Sequence, residues 1–237
     1  MSLLKINSLV SRHGLLTAVS DFTLAIEEGE KIALVGANGA GKTTLLRSLA
    51  GVHVISSGSI IFDGDDVTQM PAHQRAAAGL ALVPEGRRLF SSMTVAENLL
   101  IAQSAGRKGF WNFESVVEAL PQLKPKLSAP AGTLSGGQQQ AVAIGRALMT
   151  NPKLLLLDEV SLGLSPLAVQ LVYESLSSLF KTRTAIVLVE QDLKRAMAVA
   201  DRIVCMLEGK VVAIGRAEEM SREEVLNHYF GHEKSKT

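Results

Sequence analysis

Lys31-Ile32-Ala33-Leu34-Val35-Gly36-Ala37-Asn38-Gly39-Ala40-Gly41-Lys42-Thr43-Thr44 is the stretch that decides the fold of this 237-residue chain. An apolar run of strand length, Lys31 to Val35, gives way to a glycine-rich turn and then to a helical pattern, Thr43 to Leu49. The turn fits G-x-x-x-x-G-K-[ST]. Glycines let the backbone N–H groups converge and the helix N-terminus adds its positive end, which together cradle phosphate. Residues Gly36, Ala37, Asn38, Gly39, Ala40, Gly41, Lys42, Thr43 and Thr44 then bind a nucleoside triphosphate. Lys42 reaches the terminal phosphates and Thr43 ligates Mg²⁺.

Similar short runs recur at Phe22 to Ile26, Ser59 to Phe62, Leu80 to Val83, Leu154 to Leu157, Ala185 to Val189, Ile203 to Leu207 and Lys210 to Ile214. Their near-continuous apolar character suits strands covered on both faces, as in an α/β sheet. The runs before the phosphate loop, and the last pair around the hairpin signal Glu208-Gly209, read as antiparallel, so a mixed sheet is expected. Between Gly86 and Asn151 the strand signals disappear. Helical patterns at Val95 to Gln103, Phe113 to Leu120 and Gly136 to Met149 follow one another, with Pro121, Pro125 and Pro130 marking a loop between the last two. This is a helical subdomain, residues 86–151, inserted into an α/β core formed by residues 1–85 and 152–237. The polar tail after Phe230, GHEKSKT, reads as frayed.

Composition narrows the class. A hydrophobic fraction of 47% with 20% charged residues fits neither a disordered nor a membrane-embedded chain. The formal net charge of +1 and a pI near 7.9 supply no push toward nucleic acid. Lys5, Asn7 and Arg12 interrupt the N-terminal apolar residues, leaving no signal-peptide core, and no apolar run approaches the roughly 18 residues that span a bilayer. Cys205 is the single cysteine, set in an apolar run where a buried, inert thiol is expected. A reducing, cytoplasmic setting follows, with any membrane role coming through a partner.

Two further motifs carry chemistry. Leu154-Leu155-Leu156-Leu157-Asp158-Glu159 is an apolar strand that delivers Asp158 to its C-terminal end as a Mg²⁺ ligand and leaves Glu159 free to take a proton from an attacking water. Leu134-Ser135-Gly136-Gly137-Gln138-Gln139-Gln140 opens a helix with a serine cap and two glycines, a second anion-binding nest. Read alone, that opening is also an ordinary N-cap.

The order of the phosphate loop, LSGGQQQ and LLLLDE resembles the ATP-binding cassette (ABC) ATPase family from end to end. The resemblance implies a single P-loop NTPase domain over residues 1–237. Its mixed, RecA-like α/β core would carry N-terminal antiparallel strands and an inserted helical signature subdomain. In the family, the signature motif of one subunit closes over ATP held by the phosphate loop of the other. Ser135, Gly136 and Gly137 would thus contact a partner's γ-phosphate, with Gln138 supporting the loop. His13 stands where the family places an adenine-stacking aromatic residue. Glu85 fills the position of a glutamine that touches Mg²⁺ and the attacking water. Gln191 replaces the histidine that holds the γ-phosphate, and Val160 stands where proline is usual. Glutamine cannot carry a positive charge or relay a proton, so slow hydrolysis at this subunit's site is expected.

The set VPEGRRLF, TVAENL, SLGLSP and LVEQ is similar to the F-type ATP-binding subunit of branched-chain amino acid importers and the related urea and amide carriers. That resemblance implies membrane permease subunits and a second, G-type ATPase subunit as partners, with a homodimer as the alternative. A substrate-binding protein is an indirect partner, and the location is peripheral, on the cytoplasmic face of the plasma membrane. The loop after Glu85 and the helices to about Gln122 would receive the permeases. The aromatic run Gly109-Phe110-Trp111-Asn112-Phe113 is read as satellite core rather than docking face. An exporter ATPase of the lipopolysaccharide type, a soluble cassette ATPase and a nucleotide-gated assembly protein are the competing classes.

Overall fold

A computed structural model describes residues 2–103, 107–180 and 182–230, so the expected fraying of Gly231 to Thr237 lies outside the described residues. Two compact units emerge. The described residues of Met1–Ala72 and Ala185–Thr237 form one, and those of His73–Thr184 form the other.

The first unit begins with β1 (Ser2–His13) and β2 (Leu16–Glu27), an antiparallel pair, followed by β3 (Lys31–Val35), α1 (Lys42–Leu49), β4 (Ile55–Phe62) and the short β5 (Asp65–Asp66). Strands β2, β1, β4 and β5 lie in that order in an antiparallel sheet whose buried face carries Leu4, Ile6, Leu9, Phe22, Ile26, Ile60 and Phe62. Two expectations change here. β1 is a full strand although Lys5, Asn7 and Arg12 break its apolar pattern, because Leu3, Leu4, Ile6, Leu9 and Ser11 are buried while Lys5, Asn7 and Arg12 are exposed. The run Lys31 to Val35 is not antiparallel to its neighbours. It pairs in parallel with two later strands and is buried from Ile32 onward.

In the second unit, α2 (Ala72–Ala78), β6 (Leu80–Val83), α3 (Val95–Leu100), α4 (Phe113–Ala119), α5 (Gly136–Leu148), β7 (Leu154–Asp158) and α6 (Pro166–Leu179) follow along the chain. β6 and β7 pair in parallel, both strongly apolar. The helix expected to reach Gln103 ends at Leu100, and the proline-rich loop contains two 3₁₀ segments, Pro121–Lys126 and Ala131–Thr133. Local chemistry sets the helix starts. Thr94 with Glu97, Asn112 with Ser115, and Ser135 with Gln138 form reciprocal capping boxes, each cap worth about 1 kcal/mol. At α3 the Thr94 backbone N–H and hydroxyl both donate to the Glu97 carboxylate and hold its pKa below the usual value. The aromatic run divides. Trp111 is 7% exposed, and its backbone N–H and C=O are both bound by the side chain of Asn151, at 2.7 and 2.6 Å, whereas Phe110 is 71% exposed.

The chain then returns to the first unit with β8 (Ala185–Val189), α7 (Leu193–Val199), β9 (Arg202–Leu207), β10 (Lys210–Arg216) and α8 (Arg222–Phe230). Within this unit the order is β10-β9-β3-β8, with β3 parallel to β8 and β9, and β9 antiparallel to β10. Glu208 (φ 48°) and Gly209 (φ 80°) turn the hairpin with both residues left-handed, the geometry that matches strand twist. Leu193, Ala196 and Val225 from the helices pack on Ala33, Val35, Ile203 and Cys205. Among the described residues no helix is long and apolar enough to cross a membrane.

Burial pushes the Cys205 thiol up to about 11. The native protein should therefore react with a thiol reagent at pH 8 at least about a hundredfold more slowly than the urea-unfolded chain, measured by chromophore release, because only the thiolate attacks. Equal rates would contradict the burial.

Candidate nucleotide site

The first unit contributes the phosphate loop. β3 ends at Val35, and the chain passes through Gly36 to Gly41 before α1 starts at Lys42. Backbone crowding dictates the glycines at both ends of the turn. A Cβ on Gly36 would stand 2.2 Å from the carbonyl oxygen of Met206 in β9, and one on Gly41 would stand 2.1 Å from that of Ala18 in β2. Gly41 also has φ 96°, a conformation that side chains resist. The β9–β10 hairpin closes the junction, with Gly209 N–H donating to Ala40 O at 3.1 Å and Gly209 O accepting from Ser20 N–H at 2.8 Å.

Lys42 is 4% exposed, and its ammonium donates to the carbonyls of Gly36 (2.7 Å) and Ala37 (3.0 Å) within its own loop. The charge is thereby held over the turn that carries the amide nest. Gln191 lies on the same unit, and its Nε2 donates to Asn38 Oδ1 at 3.3 Å, so its amide sits against the phosphate loop. The buried Glu190 holds that segment by accepting from the N–H groups of Gln191 and Asp192 through Oε1, and Asp192 in turn caps α7. His13, at the end of β1, has Nε2 3.1 Å from Thr44 Oγ1, next to Thr43.

The second unit carries the other three motifs. Asp158 ends β7 at 1% exposure, and Glu159 follows with φ 47°, a left-handed non-glycine residue of the kind that clusters at functional sites. Its carbonyl accepts from Leu162 N–H, turning the chain toward α6. Val160 is buried in the core, so an apolar contact occupies the position where proline is usual. Ser135 caps α5 by accepting from Gln138 N–H at 3.4 Å, while Gln138 Oε1 accepts from Ser135 N–H at 3.1 Å. Gly136 and Gly137 also allow close packing, since a Cβ on either would lie 3.0 Å from Leu164 or Ala168.

Glu85 is exposed at the start of a loop in which Gly86, Arg87 and Arg88 are all left-handed, with φ 76°, 65° and 50°. Three side chains that motif reading did not single out hold this loop. Arg87 Nη1 donates to Gln139 Oε1 on α5 (2.9 Å), and Arg146 Nη2 donates to Arg87 O (3.2 Å). The buried Asn98 binds both backbone groups of Phe90 at 3.0 Å. A buried asparagine inside the short helix Val95–Leu100 is the signal that could have exposed this support of the loop.

Hard oxygen donors are what Mg²⁺ prefers; the first unit carries the Thr43 hydroxyl, and the second unit by itself carries the Asp158 and Glu85 carboxylates. Among the described residues no cluster of three or more His, Cys, Asp or Glu side chains forms a metal cage.

A family model described as ABC transporter matches residues 19–161. The chain is 41% identical over 212 residues to the high-affinity branched-chain amino acid transport ATP-binding protein BraG of Pseudomonas aeruginosa, covering 89% of this chain and 91% of that one. It is 31% identical over 251 residues to BraF, which carries the same description in the same organism, covering 97% and 98%. A crystal structure of the ADP conformation of an ATP-binding cassette from an ABC transporter superposes with a TM-score of 0.78 at 27% identity, covering 97% of this chain and 95% of that chain.

The crowding at Gly41 sets up a contrast with Gly39, where φ is 83° but nothing lies within 4 Å of an added Cβ. Gly39→Ala should cost about 1 kcal/mol, the strain of a left-handed alanine. Gly41→Ala should cost at least about 3 kcal/mol, because the β2 backbone must move as well. Urea unfolding of both variants checks the order, and equal losses would contradict the close approach.

Proposed function

The chain belongs to the ABC transporter family and is one of its ATPases; on that premise we propose that it powers uptake of branched-chain or related small amino acids and amides through partner membrane permease subunits. The observation that carries this reading is the match to BraG across nearly the whole of both chains, with the phosphate loop, the signature and the Asp158-Glu159 pair all present. BraG and BraF are both named for branched-chain amino acid transport, which favours import over the lipopolysaccharide-export alternative.

Each residue has a distinct role. The amides of Gly36 to Thr44 and the Lys42 ammonium hold the β- and γ-phosphates. Thr43 and Asp158, with Glu85, would hold Mg²⁺, which when bound neutralises charge on the phosphates. Glu159 accepts the proton of the attacking water. Gln191 donates an amide hydrogen bond toward the γ-phosphate, poised there by Asn38. A second ATPase subunit presents its own signature to this chain's ATP, while Ser135, Gly136 and Gly137 read the ATP of that partner. One organism carrying two such proteins, matched by this chain at 41% and 31%, supports a heterodimer with a second, different ATPase subunit. The complex sits with this chain peripheral on the cytoplasmic face of the membrane, where a substrate-binding protein reaches it only indirectly. Closing on ATP and opening after hydrolysis drive transport to the extent that the permeases bind the two states differently.

Permease docking falls to the segment after Glu85. Phe90, Leu100, Ile101 and Phe110 are exposed there, whereas Trp111 is inside. Phe110→Ser should weaken co-purification with the permeases severalfold without lowering the melting temperature by more than about 2 °C; unchanged assembly would remove Phe110 from the docking face.

Steady-state phosphate release from the reconstituted complex tests the catalytic assignment. Glu159→Gln should lower turnover at least about tenfold, as loss of a general base does, and Gln191→His should raise it. Unchanged turnover with Glu159→Gln would leave this subunit a nucleotide-gated assembly protein instead.

A further inference from the structure

Two imidazoles meet beside the phosphate loop. His13 ends β1 and His53 lies in the turn after α1, yet their ring centroids are 4.4 Å apart, with the planes inclined by 41°. Each ring is anchored. His13 Nε2 lies 3.1 Å from Thr44 Oγ1. His53 Nε2 lies 3.1 Å from the Arg12 carbonyl. A carbonyl only accepts, so His53 carries its proton on Nε2 and its orientation is set by the backbone of the residue next to His13. The segments themselves are also tied together by side-chain hydrogen bonds. The buried hydroxyls of Ser11 and Ser48 are 3.0 Å apart, and Ser11 Oγ donates to Val54 O at 3.3 Å.

The same two segments leave aliphatic side chains in water. Leu15 and Leu16 stand fully or largely exposed at the β1–β2 turn, and Leu16 is the cross-strand partner of His13. Val52 and Val54, which flank His53 in the chain, are exposed by 62% and 81%. Exposed apolar residues gathered around a ring pair mark a ligand surface. A flat heteroaromatic ring needs such a setting, with a ring face to stack on and an apolar rim. The tether from His13 to Thr44 places this surface alongside the triphosphate cradle rather than elsewhere on the unit.

We propose that His53 is a positioning residue for the base of the bound nucleotide. It holds the His13 ring at a fixed tilt, with one ring face committed to His53 and the other presented to the purine. A lone exposed imidazole offers less stacking area than a phenol and loses side-chain freedom when a base settles on it. Contact with His53 removes that freedom beforehand. The inference rests on the phosphate loop being a nucleotide site, and its test separates the two.

Calorimetric titration of the full chain with Mg-ATP and with Mg-tripolyphosphate, which lacks the base, provides that test. His53→Ala should weaken ATP about 3- to 10-fold, the worth of an aromatic pair, and leave tripolyphosphate within about twofold. His53→Phe should restore most of the ATP affinity, and the His13→Ala/His53→Ala pair should bind no worse than His13→Ala alone. Equal losses for both ligands, unchanged ATP affinity, or additive losses in the double variant would each overturn the role of His53. Wild-type protein that bound neither ligand would overturn the nucleotide reading beneath it.

Discussion

Backbone crowding around the phosphate loop is the constraint on which the rest of the first unit depends. Ala18 O of β2 presses on Gly41, Met206 O of β9 presses on Gly36, and Gly209 hydrogen-bonds to Ala40 on one side and Ser20 on the other. Three chain segments far apart in sequence meet at contacts with no room for a side chain. The loop's amides are therefore aimed before any ligand arrives, which is how preorganised hydrogen-bond donors act in phosphoryl transfer. Lys42, hydrogen-bonded to the carbonyls of Gly36 and Ala37, completes a positive cup built from one strand end and one helix start.

The second unit solves a different problem. Its loop from Glu85 to Phe90 holds Arg87 and Arg88 in left-handed backbone, each at a cost of roughly 1–2 kcal/mol. Arg87 to Gln139, Arg146 to the Arg87 carbonyl and Asn98 to Phe90 offset that strain. The acceptor Gln139 and the donor Arg146 both belong to α5, the helix that Ser135 opens. Two guanidinium contacts thus join the Glu85 loop, proposed to meet the permeases, to the helix whose start is proposed to meet the partner's ATP.

Sequence made much of this legible, for physical reasons that differ by element. The phosphate loop is a short motif whose chemistry is local, so its spacing announces it, whereas the Asp158-Glu159 strand end and the LSGGQQQ opening are ordinary when read alone and gain meaning only from their order after that loop. Strands β3, β7, β8 and β9 are nearly or fully buried, and continuous apolar runs reveal them. β1 is different. It is half-buried and irregular, with left-handed backbone at Ser8 and register shifts along both of its pairings, so its identity as a strand comes from partners distant in sequence. The Glu208-Gly209 turn is readable as a hairpin, but its service as a prop for the phosphate loop is not, because that role exists only once β2 lies against it. His53 is likewise invisible in sequence. Nothing about a lone histidine after α1 announces a ring 4.4 Å from His13.

The most direct measurement is accumulation of a labelled branched-chain amino acid by proteoliposomes holding the permeases and both ATPase subunits. ATP is supplied on the side of this chain, and substrate-loaded binding protein on the other. The expected result is uptake against a gradient that needs ATP, this chain and the binding protein together. ATP hydrolysis by the assembled complex that is indifferent to the binding protein and moves no amino acid would contradict an importer motor.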